Sequence, residues 1–272
     1  MHNSNSGIIP QEINRKLQEY AQLIHEYNKN TNITGLKDSE SIYKELIMGS
    51  ITPLMHVDVP RGTNFIDIGT GAGIPGIPLL LYFGGNMKGV LVDSNNKKIK
   101  FLLNAIETLG ITNIVTVIQG RVEEIAKEKA YRDNFDFAVA RAFAHPLMAL
   151  EYGLPFVKQG GWMYIYYALN VYEMRIQNNK IVSTDKEIIV EYSDNKQHEA
   201  NNFAKNDMAT LIHYLKKHAH NLGGHMATLE EARKLKLYEG LIFMKDRYTP
   251  ASYPRKHALV KREVANVRDI SS

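Results

Sequence analysis

Cysteine is absent from the 272 residues of this sequence. Its absence excludes disulfide bonds, thiolate metal sites and a cysteine nucleophile, and it suits a reducing compartment. Long hydrophobic runs are also missing, since no apolar stretch approaches the ~18 residues that cross a bilayer. Residues 1–7 are polar and lack the apolar core of a signal peptide. We therefore expect a cytoplasmic protein with no membrane contact.

A large excess of charge of one sign is also absent, since the net charge is only +4 at neutral pH. Its distribution is uneven: residues 245–272 hold seven Lys or Arg and three acidic residues, which accounts for the whole excess. A basic tail beside a neutral body suits contact with phosphate groups. A solvated chain terminus explains the same charges equally well.

The length and the 44% hydrophobic content favour one large globular domain with additions. Residues 10–28 place apolar side chains at helical spacing, which predicts an amphipathic helix. Asp38 or Ser39 can cap a second helix. Residues 1–60 are therefore predicted to form an N-terminal helical extension.

From Asn64 onward, short apolar runs alternate with helical stretches. The predicted strands are 65–68, 89–93, 114–119, 135–140 and 162–167, followed by two late strands, 188–192 and 240–244, that pair antiparallel at the sheet edge. Such alternation is typical of a mostly parallel sheet covered by helices on both faces. We predict a doubly wound, Rossmann-like α/β domain with seven strands over 61–272, a polar helical insertion near 195–236 and a basic tail over 245–272.

One run concentrates glycine, with Gly69, Gly71 and Gly73 directly after the first predicted strand. Such glycines let the backbone turn sharply and approach a ligand, which then meets the N–H groups of the next helix. Dinucleotide sites use G-x-G-x-x-G, whereas the spacing here is G-x-G-x-G with Asp67 two residues before it. Asp67 repels a pyrophosphate but can accept a hydrogen bond from the ammonium of an amino acid. The run therefore predicts a site for S-adenosylmethionine.

Polar residues also follow the next three predicted strands. Asp93 closes the second strand twenty residues after Gly73, where an acid can accept both hydroxyls of a ribose. Residues 119–124 follow the third strand, where such folds place the adenine. Residues 141–144, Arg-Ala-Phe-Ala, follow the fourth strand and face the methyl group. The Asn/Asp-Pro-Pro-aromatic motif of methyltransferases that act on exocyclic amines is not found there.

These motifs resemble those of the bacterial small-subunit (16S) ribosomal RNA guanine-N7 methyltransferases, also called glucose-inhibited division protein B. The resemblance spans nearly the whole chain and includes Tyr27–Thr34, the glycine loop with Ile74–Pro78, Val92–Ser94 with Lys97-Lys98, Arg121–Glu124, Arg141–Ala144 and Tyr253–Lys256. It implies S-adenosylmethionine as cofactor, formation of 7-methylguanosine in 16S rRNA, and ribosomal RNA or a small-subunit particle as partner. Leu46, Gly49, Tyr167-Ala168 and His257 depart from the family's pattern, on the predicted RNA-facing side.

The predicted cofactor-binding residues are Asp67, Gly69, Thr70, Gly71, Gly73, Pro75, Asp93, Ser94, Val122, Glu123 and Arg141. The in-plane lone pair of guanine N7 needs no general base, so positioning can accelerate the transfer. We predict that Arg141 and Arg121 act in catalysis by holding the RNA backbone or the guanine O6 edge. Arg255 and Lys256 are predicted to contact RNA as well. The alternative for Arg141 and Arg121 is a structural salt bridge, and the alternative for Arg255 and Lys256 is a tail that Tyr253-Pro254 anchors on the sheet.

Other interpretations remain open at this stage. The chain could methylate a different substrate, or it could bind the methyl donor as a non-catalytic, ribosome-associated relative. A dehydrogenase is disfavoured by the glycine spacing. The histidines of residues 213–225 lack accompanying carboxylates or cysteines at ligand spacing, so no metal site is predicted. Nothing in the sequence demands a dimer, and we expect a monomer.

Overall fold

The computed structural model describes residues 9–167, 175–177, 180–182 and 199–270. The late strand predicted at 188–192 and the departure at Ala168 lie outside the described residues. Two short strands, β6 (Arg175–Gln177) and β7 (Lys180–Val182), pair with each other in antiparallel fashion.

Two helical segments precede the sheet. Helix α1 (Gln11–Asn28) buries Leu17, Tyr20, Ala21 and Ile24 at the predicted helical spacing. The second segment contains α2 (Ser39–Ser41), a π-helix (Ile42–Met48), α3 (Gly49–Ile51) and a 3₁₀ turn (Thr52–Leu54). Asp38 caps it by accepting a 2.7 Å hydrogen bond from the Ser41 amide. Both segments pack against helices that flank the sheet.

Seven strands form the central sheet, in the order β3-β2-β1-β4-β5-β9-β8. They are β1 (Thr63–Ile68), β2 (Met87–Asp93), β3 (Val115–Gln119), β4 (Phe135–Arg141), β5 (Val157–Tyr166), β8 (Gly224–Met226) and β9 (Leu241–Lys245). The first five are parallel, and β9 and β8 add antiparallel pairs at one edge. The predicted doubly wound, mostly parallel sheet is confirmed.

One edge strand differs from the prediction. The Gly223-Gly224 pair follows a helix that ends at Asn221, and Gly224 begins β8, which pairs with β9. A strand of three residues is too short to show an alternating pattern. The seventh strand of the sheet is therefore β8 in the part of the chain that the structure describes.

Helices cover both faces of the sheet. Successive residues of a strand point to opposite faces, so each face contributes to its own core. Phe65 of β1 lies in a core with α1 and the helices after β1 and β2, whereas Ile66 lies in a second core with the helices after β4 and near the C-terminus. The helices are α4 (Gly76–Phe83), α5 (Asn96–Thr108), α6 (Val122–Ile125), α7 (Pro146–Gly153), α8 (Glu199–Asn221), α9 (Leu229–Leu235) and α10 (His257–Ile270), with 3₁₀ turns at Gly84–Asn86 and Leu154–Phe156.

The strand order identifies the edge of the sheet where a ligand fits. The chain order reverses between β1 and β4, and in open α/β sheets ligands bind at such a switch point, outside the carboxyl ends of the strands. No described helix is long and apolar enough to cross a membrane. The boundary at residue 60 between the helical extension and the α/β domain stays a prediction.

Candidate functional site

The glycine loop joins β1 to α4 at the switch point. Gly69 and Gly73 have φ angles of +66° and +78°, which favour glycine. A Cβ on Gly69 would overlap the ring of Phe143, and one on Gly73 would lie 2.5 Å from the hydroxyl oxygen of Tyr20. That hydroxyl donates a hydrogen bond to the Ala72 carbonyl. The loop is therefore fixed from both sides, by β4 and by α1.

Asp67 lies fully buried beneath this loop. Its Oδ2 accepts hydrogen bonds from the Thr70 hydroxyl at 2.6 Å and from the Gly76 amide at 2.8 Å, so it connects the start of the loop to the start of α4. Its Oδ1 is buried and has no hydrogen-bond partner among the described residues. Burial raises the pKa of Asp67 from 3.8 to about 7, although the bonds from Thr70 and Gly76 oppose that rise.

Asp93 ends β2 beside the loop and is almost fully buried. Its Oδ2 accepts a 2.9 Å hydrogen bond from the Gly71 amide, and its Oδ1 accepts one of 2.8 Å from the Asn95 amide. The Lys98 ammonium lies 3.6 Å from Oδ2. The carboxylate thus holds the glycine loop in place, and each oxygen keeps a second lone pair for a ligand.

A cavity of about 310 Å³ opens at this edge of the sheet. Six predicted cofactor or RNA residues line it: Gly69, Asp93, Ser94, Arg121, Val122 and Glu123. It is also lined by residues that were not among the predicted cofactor-binding or RNA-binding residues, namely Lys98, Met148, Tyr152 and His257. Larger cavities of about 540 and 370 Å³ lie where the strands begin, away from the glycine loop, so we assign the site to the smaller one.

The remaining predicted residues do not line this cavity. Asp67, Thr70, Gly71, Gly73 and Pro75 form or support the loop behind it, whereas Arg141, Arg255 and Lys256 lie elsewhere. Arg121 is exposed at the start of α6, and Lys256 is exposed beside His257. The structure therefore brings together the two carboxylates and the loop but not all four predicted RNA-contacting cations.

Arg141 ends β4 and connects the sheet to the N-terminal segment. Its Nη1 donates to the Leu46 carbonyl and the Ser50 hydroxyl, both at 2.9 Å, and its Nη2 donates to the Glu45 carbonyl at 2.8 Å. The guanidinium also lies 5.5 Å from the ring centre of Tyr166. Gly49 leaves room for it, since a Cβ there would lie 3.3 Å from Nη2.

Arg255 forms a buried ion-pair cluster that holds the C-terminal helix. Its Nε and Nη2 lie 3.0 and 2.5 Å from the Glu151 carboxylate, and Nη2 lies 2.6 Å from Glu263. His218 Nε2 approaches the same Glu151 carboxylate at 2.9 Å. Although burial opposes it, the proximity of His218 and the hydrogen bonds from Arg255 lower the pKa of Glu151 to about 2. Arg255 is therefore bound to protein carboxylates, a role that the sequence did not predict for it.

Two histidines of residues 213–225, His218 and His225, also lie beside carboxylates. His225 bonds Asp246 through Nδ1 at 2.8 Å and Glu231 through Nε2 at 3.0 Å. Within the described ranges, no group of three or more histidine, aspartate or glutamate residues is arranged to hold a metal ion. His225 therefore connects β8, β9 and the capping box of α9.

Comparison with known proteins identifies the family. The family model described as rRNA small subunit methyltransferase G matches residues 13–202, more than half of the chain. The chain belongs to this family. The resemblance predicted from the sequence is thereby confirmed. The match ends before β8, β9 and α10.

Relatives with the printed name Ribosomal RNA small subunit methyltransferase G occur in several bacteria. The one from Moorella thermoacetica is 39% identical over 150 residues, which is 55% of this chain and 62% of the relative. The one from Alkaliphilus metalliredigens is 35% identical over 188 residues, 66% of this chain and 77% of the relative. The chain thus spans about three-fifths of the length of the first curated relatives it matches, 62% and 61%.

The solved structure described next is less similar in sequence than these relatives. A putative S-adenosyl-L-methionine-dependent methyltransferase from Methanococcus maripaludis is 16% identical, with a TM-score of 0.46, over 85% of this chain and 94% of that protein.

Proposed function

We propose that this chain is an S-adenosylmethionine-dependent methyltransferase that forms 7-methylguanosine in 16S ribosomal RNA. The observation that carries the proposal is the glycine loop beside the cavity, supported from beneath by the buried Asp67 carboxylate, whose Oδ2 bonds the Gly76 amide and whose Oδ1 has no hydrogen-bond partner among the described residues. The names of the family's members point to the same activity.

The residues present fit the methyl donor. Asp67 lies behind the loop and does not line the cavity, so its carboxylate, whose Oδ1 has no hydrogen-bond partner among the described residues, would attract the ammonium of the methionine part across the loop. Asp93 has lone pairs for the ribose hydroxyls, and Ser94, Val122 and Glu123 line the wall where the adenosine would lie. A cavity of about 310 Å³ lies at the small end of the range for ligand pockets.

The chain's own groups act by positioning. The bound donor supplies an electrophilic methyl group, and guanine N7 attacks with its in-plane lone pair, so no side chain needs to remove a proton. Phe143 packs on Gly69 beside the cavity and helps to exclude water from the loop. Arg141 positions the N-terminal segment through three hydrogen bonds.

Two exposed cations are available for the RNA. Arg121 lines the cavity. Lys256 is exposed and directly precedes His257, which lines the cavity too, so both cations can reach phosphate oxygens. Direct contact of Arg141 or Arg255 with RNA stays a prediction, and it requires that their present protein partners be shared or released. The cytoplasmic location, the monomeric state and the form of the RNA substrate are also predictions.

Transfer of tritium from labelled S-adenosylmethionine tests the proposal. Small-subunit particles and naked 16S rRNA from cells that lack the modification are incubated with the chain, and the label is mapped by mass. We expect label on one guanine N7, and we expect Asp93→Ala to abolish it while Glu107→Ala, an exposed acid at the end of α5, does not. Donor binding without transfer to either RNA would favour the non-catalytic alternative, and label on another molecule would favour a different substrate.

The pKa of Asp67 predicts a pH dependence of donor binding. Only the ionised carboxylate attracts an ammonium, and with a pKa of about 7 it is mostly protonated one pH unit lower. We expect the affinity for S-adenosylhomocysteine, measured by calorimetry, to rise about five- to tenfold between about pH 6 and about pH 8.

The matched variant for this measurement is Asp67→Asn. Its amide oxygen can still accept the hydrogen bond from Gly76, so the loop keeps part of its support. We expect weaker binding that does not change with pH in this range. A wild-type affinity that is equal at both ends of the range would remove Asp67 from the ammonium site.

A further inference from the structure

His257 is the first residue of α10, and its side chain lines the same cavity as Asp93 and Glu123. Half of that side chain is exposed. The family match covers residues 13–202, so His257 lies outside it. The C-terminal helix thus brings an imidazole to the candidate donor pocket.

The imidazole is held in place from two sides. The Tyr152 hydroxyl lies 3.0 Å from His257 Nδ1, and a Glu123 carboxylate oxygen lies 3.9 Å from the same nitrogen. Burial raises the pKa of Tyr152, so its hydroxyl keeps its proton and can donate it to a hydrogen bond with Nδ1. When Nδ1 accepts this hydrogen bond, the hydrogen of a neutral imidazole lies on Nε2. This tautomer is assigned from the hydrogen bond.

The start of α10 is rigidly anchored. Arg255, two residues before His257, pairs with Glu151 of α7 and Glu263 of α10. Tyr152 follows Glu151 on α7, so one helix fixes both the backbone before His257 and its ring. A side chain that is positioned in advance loses little entropy when it binds a ligand.

We propose that His257 is a donor-binding residue, which donates a hydrogen bond from Nε2 to an acceptor atom of the adenosine part of S-adenosylmethionine. The C-terminal helix then contributes to the lining of the pocket together with Asp93 and Val122. Ring nitrogens of a purine are acceptors of the required kind. This inference rests on the proposed function, because it takes the cavity to be the donor site.

Calorimetry with S-adenosylhomocysteine tests the inference on the full chain. We expect His257→Ala to bind about three- to tenfold more weakly than wild type, which corresponds to one lost hydrogen bond. Tyr152→Phe removes only the hydroxyl that orients the ring, so a smaller loss is expected. Lys261→Ala, which changes an exposed residue of the same helix, should bind like wild type.

A second measurement separates ligand contact from structural support. The ring nitrogens of ¹⁵N-labelled His257, assigned by their absence in His257→Ala, should shift when S-adenosylhomocysteine is added. Equal affinities of wild type and His257→Ala, or unchanged ring resonances, would overturn the inference while the proposed function stands. A wild-type chain with no affinity for S-adenosylhomocysteine would instead overturn the proposed function itself.

Discussion

Replacing Glu151 with alanine is expected to lower the free energy of unfolding by about 3 kcal/mol, because it leaves Arg255 and His218 without their shared carboxylate. Glu151 is fully buried, and the side chain of His218 is 4% exposed, so water cannot replace the lost partner well. Urea unfolding followed by circular dichroism measures the change. The contact of α10 with α7 depends on the same cluster.

The matched control is Glu124→Ala, because Glu124 is an exposed acid on α6. We expect it to change the free energy of unfolding by less than about 0.5 kcal/mol. Since the pKa of folded Glu151 is about 2, below its usual 4.5, its contribution is present above pH 4.5 and is lost as the pH falls towards 2. The Glu151→Ala variant should lose less stability across that window. A variant as stable as wild type would show that the cluster contributes nothing.

The variant Gly69→Ala is expected to bind S-adenosylhomocysteine at least about tenfold more weakly than wild type. The new methyl group meets the ring of Phe143 and also forces alanine into a left-handed conformation at φ +66°, which costs about 1–2 kcal/mol. Relieving the overlap with Phe143 or the backbone strain would displace the loop that Asp67 and Asp93 hold. Calorimetry measures the affinity, and urea unfolding measures the cost to the fold.

Gly110→Ala provides the control, because Gly110 has φ +67° and a Cβ there meets no atom within 4 Å. It should reproduce the backbone strain, with a loss of about 1 kcal/mol of stability, and leave the affinity unchanged. Adding Phe143→Ala to Gly69→Ala removes the ring that the methyl group overlaps, so part of the affinity should return. If Gly69→Ala binds like wild type, the loop does not form the donor site.

The fold was largely predictable because its signals are local. The buried strands appear as short apolar runs, and the predicted 65–68, 89–93 and 135–140 became Thr63–Ile68, Met87–Asp93 and Phe135–Arg141. The capping signal at Asp38 was also confirmed, since its side chain caps the helix predicted there. β8 was missed because three residues carry too little periodicity.

The candidate site was predictable in part. Gly69, Asp67 and Asp93 were identified because turn chemistry and the position of an acid at a strand end can be read along the chain. The sequence did not predict that His257 and Tyr152 line the cavity. Their positions depend on how α10 packs on α7, and the two residues are 105 positions apart in sequence. A positive φ of 49° at Ala142 marks a special backbone at the end of β4 that the residue type does not reveal.

The sequence by itself determined the class of fold and the family, because apolar periodicity and glycine spacing act between residues that are close along the chain. Only the tertiary structure decided the partners of the charged side chains. Arg141 and Arg255 look alike as predicted RNA contacts, yet one holds the Leu46 carbonyl 95 residues away and the other holds Glu151 104 residues away. An arginine bonds to whichever acceptors folding brings near it, and that proximity is set by the packing of whole helices and strands.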